Sequence, residues 1–572
     1  MRSLHQRLLP FITFVLSSLC ARETLANAQL SGLPRDTASS NGQAFSFDIE
    51  AGADLQVATS KESATSLEFT TDGGVPFFNP YVHQQIGSNG PLLLQDVRFV
   101  ETLAHFVRER IPERVVHAKG AGAHGYFEAT NADFVKQYSI MYVFTENGLK
   151  TPITIRFSTV GGESGSADSA RDPRGFAIKF RTKQGILDIV MNNTPVFFIR
   201  DPAKFPHFIH TQKRNPQTHL RDHDLFWDYL GSNPESLYQV MRLFSDLGTP
   251  YGFRHMNGWT GHTYRWVKSN GSWVYVKLFA ETMQGIKNFT NADATNLQGA
   301  NPDFATQDLF DSIQNNDYPG WTLYAQVLTP SQAEKFKYNV LDLTKDWGFD
   351  DVNKTEIGRF YLTENPTNYF AEIEQAAFSP GRTVPGWEPS TDPVLQARLF
   401  SYGDAHRYRL GTNNLQIPVN APTVPVANFE RDGFMTVNGN QGSRPNYHST
   451  LERINTPPIP YIEDTHQQWT GGAVRSLTQV TAIDFDWPKR FWSSLSAQDQ
   501  QNLISNVVGH LGAAKSQSVK QRQVALFALV DKSLGEAIAK GVNVSVPALP
   551  NFPTNVTWLD TTVSSNSSTL NY

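Results

Sequence analysis

Apolar positions recur at i, i+3 and i+4 between Leu92 and Arg110, with Leu93, Val97, Val100, Leu103 and Phe106 on one stripe, and this spacing predicts a helix. From Arg114 to about Phe279 the period falls to two. Ile153, Ile155 and Phe157 alternate with Thr154, Arg156 and Ser158, and Val274–Phe279 repeats the pattern. An antiparallel sheet or barrel is the expected product, interrupted by a helix that Asn233 caps with Pro234 in its first position. A later helix is bracketed by Asp392 as N-cap, Pro393 as first residue and Gly411 as terminator. Residues 412–490 are dominated by Pro, Asn, Gly and Thr with no sustained period. Unstructured loops beyond ~15 residues are uncommon in compact proteins, so this stretch is expected to wrap over another surface. Residues 491–545 read as a helical region. In it Ser496–Asp499 forms a capping box before a stripe of Leu503, Ile504, Val507, Val508 and Leu511, and Gln521–Lys540 is a second helix ended by Gly541.

The chain ends read differently. Arg2 and Arg7 precede an apolar run, Leu8–Leu19, and Ala26-Asn27-Ala28 fits a cleavage site, so residues 1–28 read as a signal peptide and the protein as secreted, extracellular or in the cell wall. That run is too short for a membrane span of about 20 residues, and no later segment approaches this length. Residues 29–70 read as an N-terminal extension or arm and residues 546–572 as a flexible tail. Sequons at Asn270, Asn288, Asn353, Asn543, Asn555 and Asn566 suggest a glycoprotein, whereas the one at Asn192 sits in an apolar strand and is expected to be bare.

Charge and composition narrow the function. The 572 residues carry 49 Lys and Arg against 54 Asp and Glu, a net charge of −5 without a basic face, which argues against nucleic acid as a partner. The only cysteine, Cys20, falls in the leader, so disulfides, metal thiolates and cysteine nucleophiles drop out. An aromatic share of 12%, with 38 Phe, suits a large dry interior or a flat apolar ligand equally. Gly120–Gly125 satisfies the GxGxxG dinucleotide spacing, but Tyr126–Thr130 reads as strand where that fingerprint needs a helix. His207, His210, His219 and His223 lack the carboxylate or Cys spacing of a zinc site and read as structural.

Two segments carry chemistry. Arg398, Tyr402 and His406 follow one another at i+4 on a single helix face, with Arg409 nearly a turn further. Such a line is most often a solvated face. Its sharper reading is a tyrosinate held by arginine, because a phenol with pKa ≈ 10 ionises near neutrality only beside a strong cation or Lewis acid. The second segment is Phe106–Gly122. A lone His117 would by default be structural, but Gly120, Ala121 and Gly122 would let a flat ligand approach the backbone. Arg114 and Arg156 could meet propionates, and Ser158, on the same strand face as Arg156, could orient the imidazole. Asn192 adds an amide donor, and Phe197, Phe198 and Phe205 would make a dry, narrow approach.

Arg398–His406 (Arg-Leu-Phe-Ser-Tyr-Gly-Asp-Ala-His) resembles the proximal haem-ligand motif of monofunctional haem catalases. Phe106–Gly122 resembles their distal motif, and Asn192–Pro202 resembles a third segment of the family. The similarity runs from about Phe69 to Gly512. It implies an α+β fold: a catalase-like antiparallel β-barrel core with N-terminal arm, wrapping loop and C-terminal helical region. The haem-binding core would be residues 71–411. It also implies a homotetramer of the small-subunit type, without a flavodoxin-like C-terminal domain, one haem per subunit, and hydrogen peroxide as substrate.

By position, His117 and Asn192 look like the distal catalytic pair, with Ser158 orienting His117 and Tyr402 as the iron ligand. Arg398 would stabilise the phenolate and Arg114, Arg156 and Arg409 would meet the propionates. Val116, Phe197, Phe198, Phe205 and His406 would line the haem, His406 favouring unmodified haem b (iron protoporphyrin IX). Some members carry NADPH on His, Arg, His and Lys. Here those places hold Tyr238, Leu247, Phe279 and Glu281, which implies weak or absent NADPH binding. A lipid-hydroperoxide enzyme on the same fold is the nearest rival, and that group has Thr where this chain has Val116. A nicotinamide-dependent oxidoreductase or a non-catalytic secreted glycoprotein would explain the paired motifs less well.

Overall fold

The computed structural model describes residues 68–460 and 478–554. The expected signal peptide, all but the last residues of the 29–70 arm, residues 461–477 of the wrapping stretch and residues 555–572 of the tail lie outside the described residues. The chain divides into two units, Met1–Val82 and His83–Tyr572. In the first, residues 68–82 form a small turn closed by a bridge between Thr70 and Pro76 and an edge contact of Phe69 on Phe77.

The second unit is built on ten antiparallel strands: β1 Gly120–Ala129, β2 Lys150–Ser158, β3 Gly175–Thr182, β4 Gly185–Asn192, β5 Gly258–Trp259, β6 Tyr264–Val267, β7 Trp273–Thr282, β8 Gly320–Leu328, β9 Thr355–Glu364 and β10 Trp387–Pro389. Their order is β10-β6-β7-β5-β4-β3-β2-β1-β9-β8, and β7 also pairs with β8. That pairing closes eight strands into a barrel, with β6 and β10 extending beside β7. Closure removes the free edges that an open sheet would leave to aggregate.

Period-two alternation decides what goes inside. Ile153, Ile155 and Phe157 on β2, Phe176, Ile178 and Phe180 on β3, and Trp321 and Phe360 are fully buried. Their rings interlock, Trp321 stacking on Phe360 at 5.4 Å and Phe157 meeting Phe176 edge-on at 4.8 Å. The residues between them form the opposite face in three aligned rows. Gly120, Ser158, Gly175 and Asn192 stand in register, then Gly122, Arg156, Ala177 and Val190, then His124, Thr154, Lys179 and Asp188. Glycine or alanine recurs in the first two rows, where other side chains pack closely, His117 against Gly175 and Ile373 against Gly122.

The helix bearing the Arg398–His406 line is as expected. It spans Pro393–Leu410, Asp392 accepts from the amides of Val394 and Leu395, and Gly411 ends it at φ 95°. Gly120–Gly125 lies on a strand, which disposes of the dinucleotide fingerprint.

Other boundaries differ. The first helix runs only from Val97 to Phe106, capped by Asp96, and its apolar stripe is exposed within this chain. The stretch from Arg114 to Phe279 is interrupted by more than the one helix expected at Asn233: helices at Phe205–Gln212 and His223–Ser232 precede the one at Leu237–Phe244. Asn233 caps nothing with its side chain; it donates to the Tyr229 carbonyl, and Pro234 opens a single 3-10 turn. Ser496 caps Ala497–Leu511, but the Asp499 carboxylate returns to the Ser496 hydroxyl and not to the backbone. The last helix is two, Gln517–Val530 and Lys532–Gly541, because the Asp531 carboxylate takes the Leu534 amide and restarts the chain there. The Leu503, Val507 and Leu511 stripe packs with Trp227, Phe244 and Phe527 in a second core away from the barrel. Within 412–460 the described backbone makes only short 3-10 turns, and its start is tied to the barrel where Arg181 donates to the Val419 carbonyl.

Candidate active site

His117 precedes β1 with a left-handed backbone, φ 67°, a conformation that a non-glycine residue adopts only where its surroundings enforce it. The enforcement is visible. Arg156 donates to the carbonyls of His117 (2.8 Å) and Ala118 (3.1 Å), and the His117 amide donates to Val160 O at 3.1 Å. The imidazole Nδ1 lies 2.9 Å from Ser158 Oγ. Gly175 sits opposite Ser158, and a Cβ there would come within 2.6 Å of His117 Nδ1. Burial first, then the charges of Arg156, Arg398 and Arg114, push the His117 pKa down to about 3, so the ring is neutral. Asn192 ends β4 beside Gly175 in the same row.

On the other segment, Arg398 donates to the Tyr402 phenol oxygen at 2.8 Å. Burial opposes the guanidinium charge, but Tyr402 and Tyr264 outweigh it and raise the Arg398 pKa. His406 is buried and its Nε2 is 2.6 Å from the Phe378 carbonyl, which can only accept, so Nε2 carries the proton and Nδ1 is left without a partner. Burial holds this ring neutral as well, at about 4.

A cluster of charge joins the segments. Arg114 donates to the backbone carbonyls of Glu374 (2.9 Å) and Ala376 (2.8 Å), Arg409 donates to that of Glu374 (3.1 Å), and both lie within 3.5 Å of the Glu374 carboxylate. Burial and mutual repulsion lower the pKa of Arg114. Two guanidiniums therefore flank one carboxylate, with the charge of Arg156 close enough to be felt by both Arg114 and Arg409, and Arg156 Nε and Arg409 NH1 have no partner. Dry, surplus positive charge of this kind suits a ligand with carboxylates of its own. Gly120 and Gly122 are packed closely here: a Cβ at Gly122 would come within 2.7 Å of Ile373 Cδ1, and one at Gly120 within 2.9 Å of the Arg156 guanidinium. The unpartnered guanidinium nitrogens fit a group that carries carboxylates.

Phe197, Phe198 and Phe205 form the expected aromatic cluster, Phe197 lying edge-on to Phe198 at 5.3 Å and stacked with Phe205 at 6.4 Å. Val116 packs at the border of the second core with Phe205. Of the four sequence-singled histidines, His223 packs on His510, whose Nδ1 accepts from Trp227 Nε1 at 2.9 Å, a packing role. Sequence reasoning missed four residues. Glu374 and Tyr369 (donating to Gly120 O at 2.6 Å) carry no local signal. Asp392 was read only as a helix cap, yet its second oxygen also holds the buried His262 Nδ1 at 2.6 Å.

A family profile described as catalase matches residues 70–453, and one described as catalase-related immune-responsive matches 482–542. The chain belongs to the catalase family. The Schizosaccharomyces pombe catalase is 52% identical over 85% of this chain and 95% of its own, and the Candida albicans peroxisomal catalase 52% identical over 83% and 98%. The structure of Saccharomyces cerevisiae catalase A superposes with a TM-score of 0.81 at 50% identity, covering 83% of this chain and 99% of that one. The protein is a catalase-family enzyme with that family's closed eight-stranded barrel, and the family implies a haem cofactor. One expectation is overturned. Relatives from Candida albicans, Candida tropicalis, Pichia angusta, Candida boidinii and Saccharomyces cerevisiae are peroxisomal catalases, which points to a peroxisomal or intracellular setting in place of secretion. The export reading rested on a dozen apolar residues after two arginines, a compositional pattern that does not by itself specify a compartment. Among the described residues no helix is long and apolar enough to cross a membrane.

Proposed function

We propose that this catalase-family enzyme disproportionates two molecules of hydrogen peroxide to two of water and one of dioxygen at a haem b held between His117 and Tyr402. The observation that carries this reading is the shared Glu374. It binds Arg114, three residues before His117, and Arg409, seven after Tyr402, so both segments meet in one buried cluster with surplus positive charge. Haem supplies the redox chemistry when bound. Tyr402 is the residue that would ligate its iron, held by the Arg398 guanidinium that donates to its phenol oxygen. Arg114, Arg156 and Arg409 would meet the propionates, and Val116, His406 and the Phe197, Phe198 and Phe205 rings would border the macrocycle and its approach.

His117 acts as general base and then general acid. With Nδ1 engaged by Ser158, its Nε2 is free to take a proton from one peroxide oxygen and return it to the other. A neutral ring is the form this step requires, and burial provides it. The Asn192 amide donates to the peroxide and holds it in line, and the Phe cluster keeps the approach narrow. The test is an absorption spectrum together with oxygen release on adding peroxide. A protein without a Soret band that Tyr402→Phe perturbs would remove the assignment.

NADPH binding is weak or absent. Tyr238 is stacked on Trp487 at 5.5 Å, Phe279 is buried, and Glu281 is paired with Lys354 at 2.8 Å, so the family's dinucleotide place offers packed rings and a carboxylate. Titration with NADPH is expected to show no saturable binding below about 1 mM, where a dinucleotide site would saturate. The enzyme is a homotetramer of the small-subunit type. Phe400, Tyr408, Phe434, Met435 and Leu451 are each at least 75% exposed on the isolated chain, an apolar expanse that self-association would cover. Light scattering is expected to read four chain masses.

A further inference from the structure

The third row of the barrel's outer face carries an ion pair. Lys179 on β3 and Asp188 on β4 stand opposite one another in register with side chains fully buried, Nζ lying 2.8 and 3.0 Å from the two carboxylate oxygens. A buried ion pair is a poor source of stability, since desolvating two ions cancels much of their attraction, and a well-packed apolar pair often does as well. What the pair does hold is backbone. Asp188 accepts from the Ser379 amide at 2.9 Å and from Arg382 at 3.1 Å, and the Asp188 amide donates to the Arg382 carbonyl at 3.1 Å. Lys179 and Arg382 both donate to the Ala377 carbonyl, at 2.9 and 2.5 Å. Asn420 completes the clamp by accepting from the Ala377 amide at 2.7 Å.

The residue at the centre of this clamp is Phe378. Its carbonyl takes the Nε2 proton of His406, its ring lies 5.0 Å from Lys179 Nζ, and it packs with Ala376, Val190 and Val419 in the small cluster on which Tyr402 rests. Val190 and Ala177, also in that cluster, are the row neighbours of Asp188 and Lys179.

We propose that Lys179 and Asp188 are positioning residues for the cofactor face: they fix segment 376–382 so that its carbonyl orients His406 and its side chains seat the Tyr402 ring. This rests on the reading of Tyr402 as the haem ligand. The decisive variants are Asp188→Asn, which leaves Lys179 buried without its counter-charge, and the double replacement Lys179→Met with Asp188→Asn, which removes both charges and keeps the volume.

Two readouts separate positioning from bulk stability. Hydrogen exchange of the 376–382 peptide is measured on cofactor-free protein, and haem loss to an excess of apomyoglobin on loaded protein. The double variant is expected to melt close to the parent, yet to exchange faster at 376–382 and to lose haem about tenfold faster, the scale on which outer contacts tune a ligating group. Parental exchange at this peptide in the double variant overturns the proposal. So does faster exchange with an unchanged rate of haem loss, which would confine the pair to anchoring the chain. Should Asp188→Asn fail to fold, the double variant decides alone. A parent protein that takes up no haem overturns the proposed function and the cofactor half of this proposal together, while the exchange result still judges the clamp separately.

Discussion

His117→Ala is expected to keep the barrel and the haem spectrum while lowering oxygen release from peroxide by about 10²–10⁴-fold, the range over which a positioned acid–base group contributes. The fold should survive because the imidazole makes one side-chain hydrogen bond, to Ser158, while the arginine that holds this backbone donates to carbonyls that alanine retains. Relief of the left-handed strain at φ 67° would not be large, since alanine dislikes that region as well. Gly175→Ala reaches the same end by displacement. Its methyl would overlap Ser158 Oγ and His117 Nδ1, so the ring must leave its hydroxyl partner although every catalytic residue remains. Steady-state oxygen evolution measures both variants, and a retained Soret band separates lost chemistry from lost cofactor. Near-parental turnover with haem retained in His117→Ala would refute the role given to this ring.

The barrel was legible because alternation at Ile153–Ser158 is a direct print of a wall with one packed face. The same alternation revealed half of the site, since Arg156 and Ser158 share the outer face by parity alone, and Asp392 and Gly411 bracketed the Tyr402 helix through local capping chemistry. What escaped were features made by distance in sequence. Glu374 comes to Arg114 across 260 positions, and His262 to Asp392 across 130, so no spacing rule could pair them. The helices at 205–212 and 223–232 were missed because their packing face is shared with the 497–541 helices, and that burial is invisible to any window drawn on either segment. The apolar stripe at Val97–Phe106 gave the helix correctly, although within the described residues that face is left exposed. Compartment was misread for a different reason, that a short leader-like pattern is composition and carries no contact.

Stability is expected to fall between pH 6.5 and 5, before the carboxylates in the ion pairs begin to protonate. His117, His406 and His510 are held at about 3, 4 and 3 against an ordinary value of 6.5, in each case chiefly by burial. The sign follows from linkage. Below pH 6.5 the unfolded chain takes up protons on these rings and the folded chain does not, so the unfolded state gains and stability declines as pH drops. One pH unit on one such ring corresponds to about 1.4 kcal/mol, which over this window gives about 1–2 kcal/mol per ring once partial solvent access at His117 and His510 is allowed for. Three rings together would remove about 3–6 kcal/mol, a large share of the stability of an ordinary domain. Carboxylates with depressed pKa, such as Asp342 and Glu372, both at about 2, act in the same direction only at lower pH, where their unfolded counterparts begin to bind protons. Denaturant unfolding at pH 7, 6 and 5 reads the slope directly. His510→Gln keeps an acceptor for Trp227 Nε1 and should flatten it by up to about a third, less by whatever the buried His262, also lowered, contributes. A stability that stays level from pH 6.5 to 5, or a slope that His510→Gln leaves untouched, would mean that these rings protonate in the folded protein, and His117 could not then be the neutral base that peroxide chemistry needs.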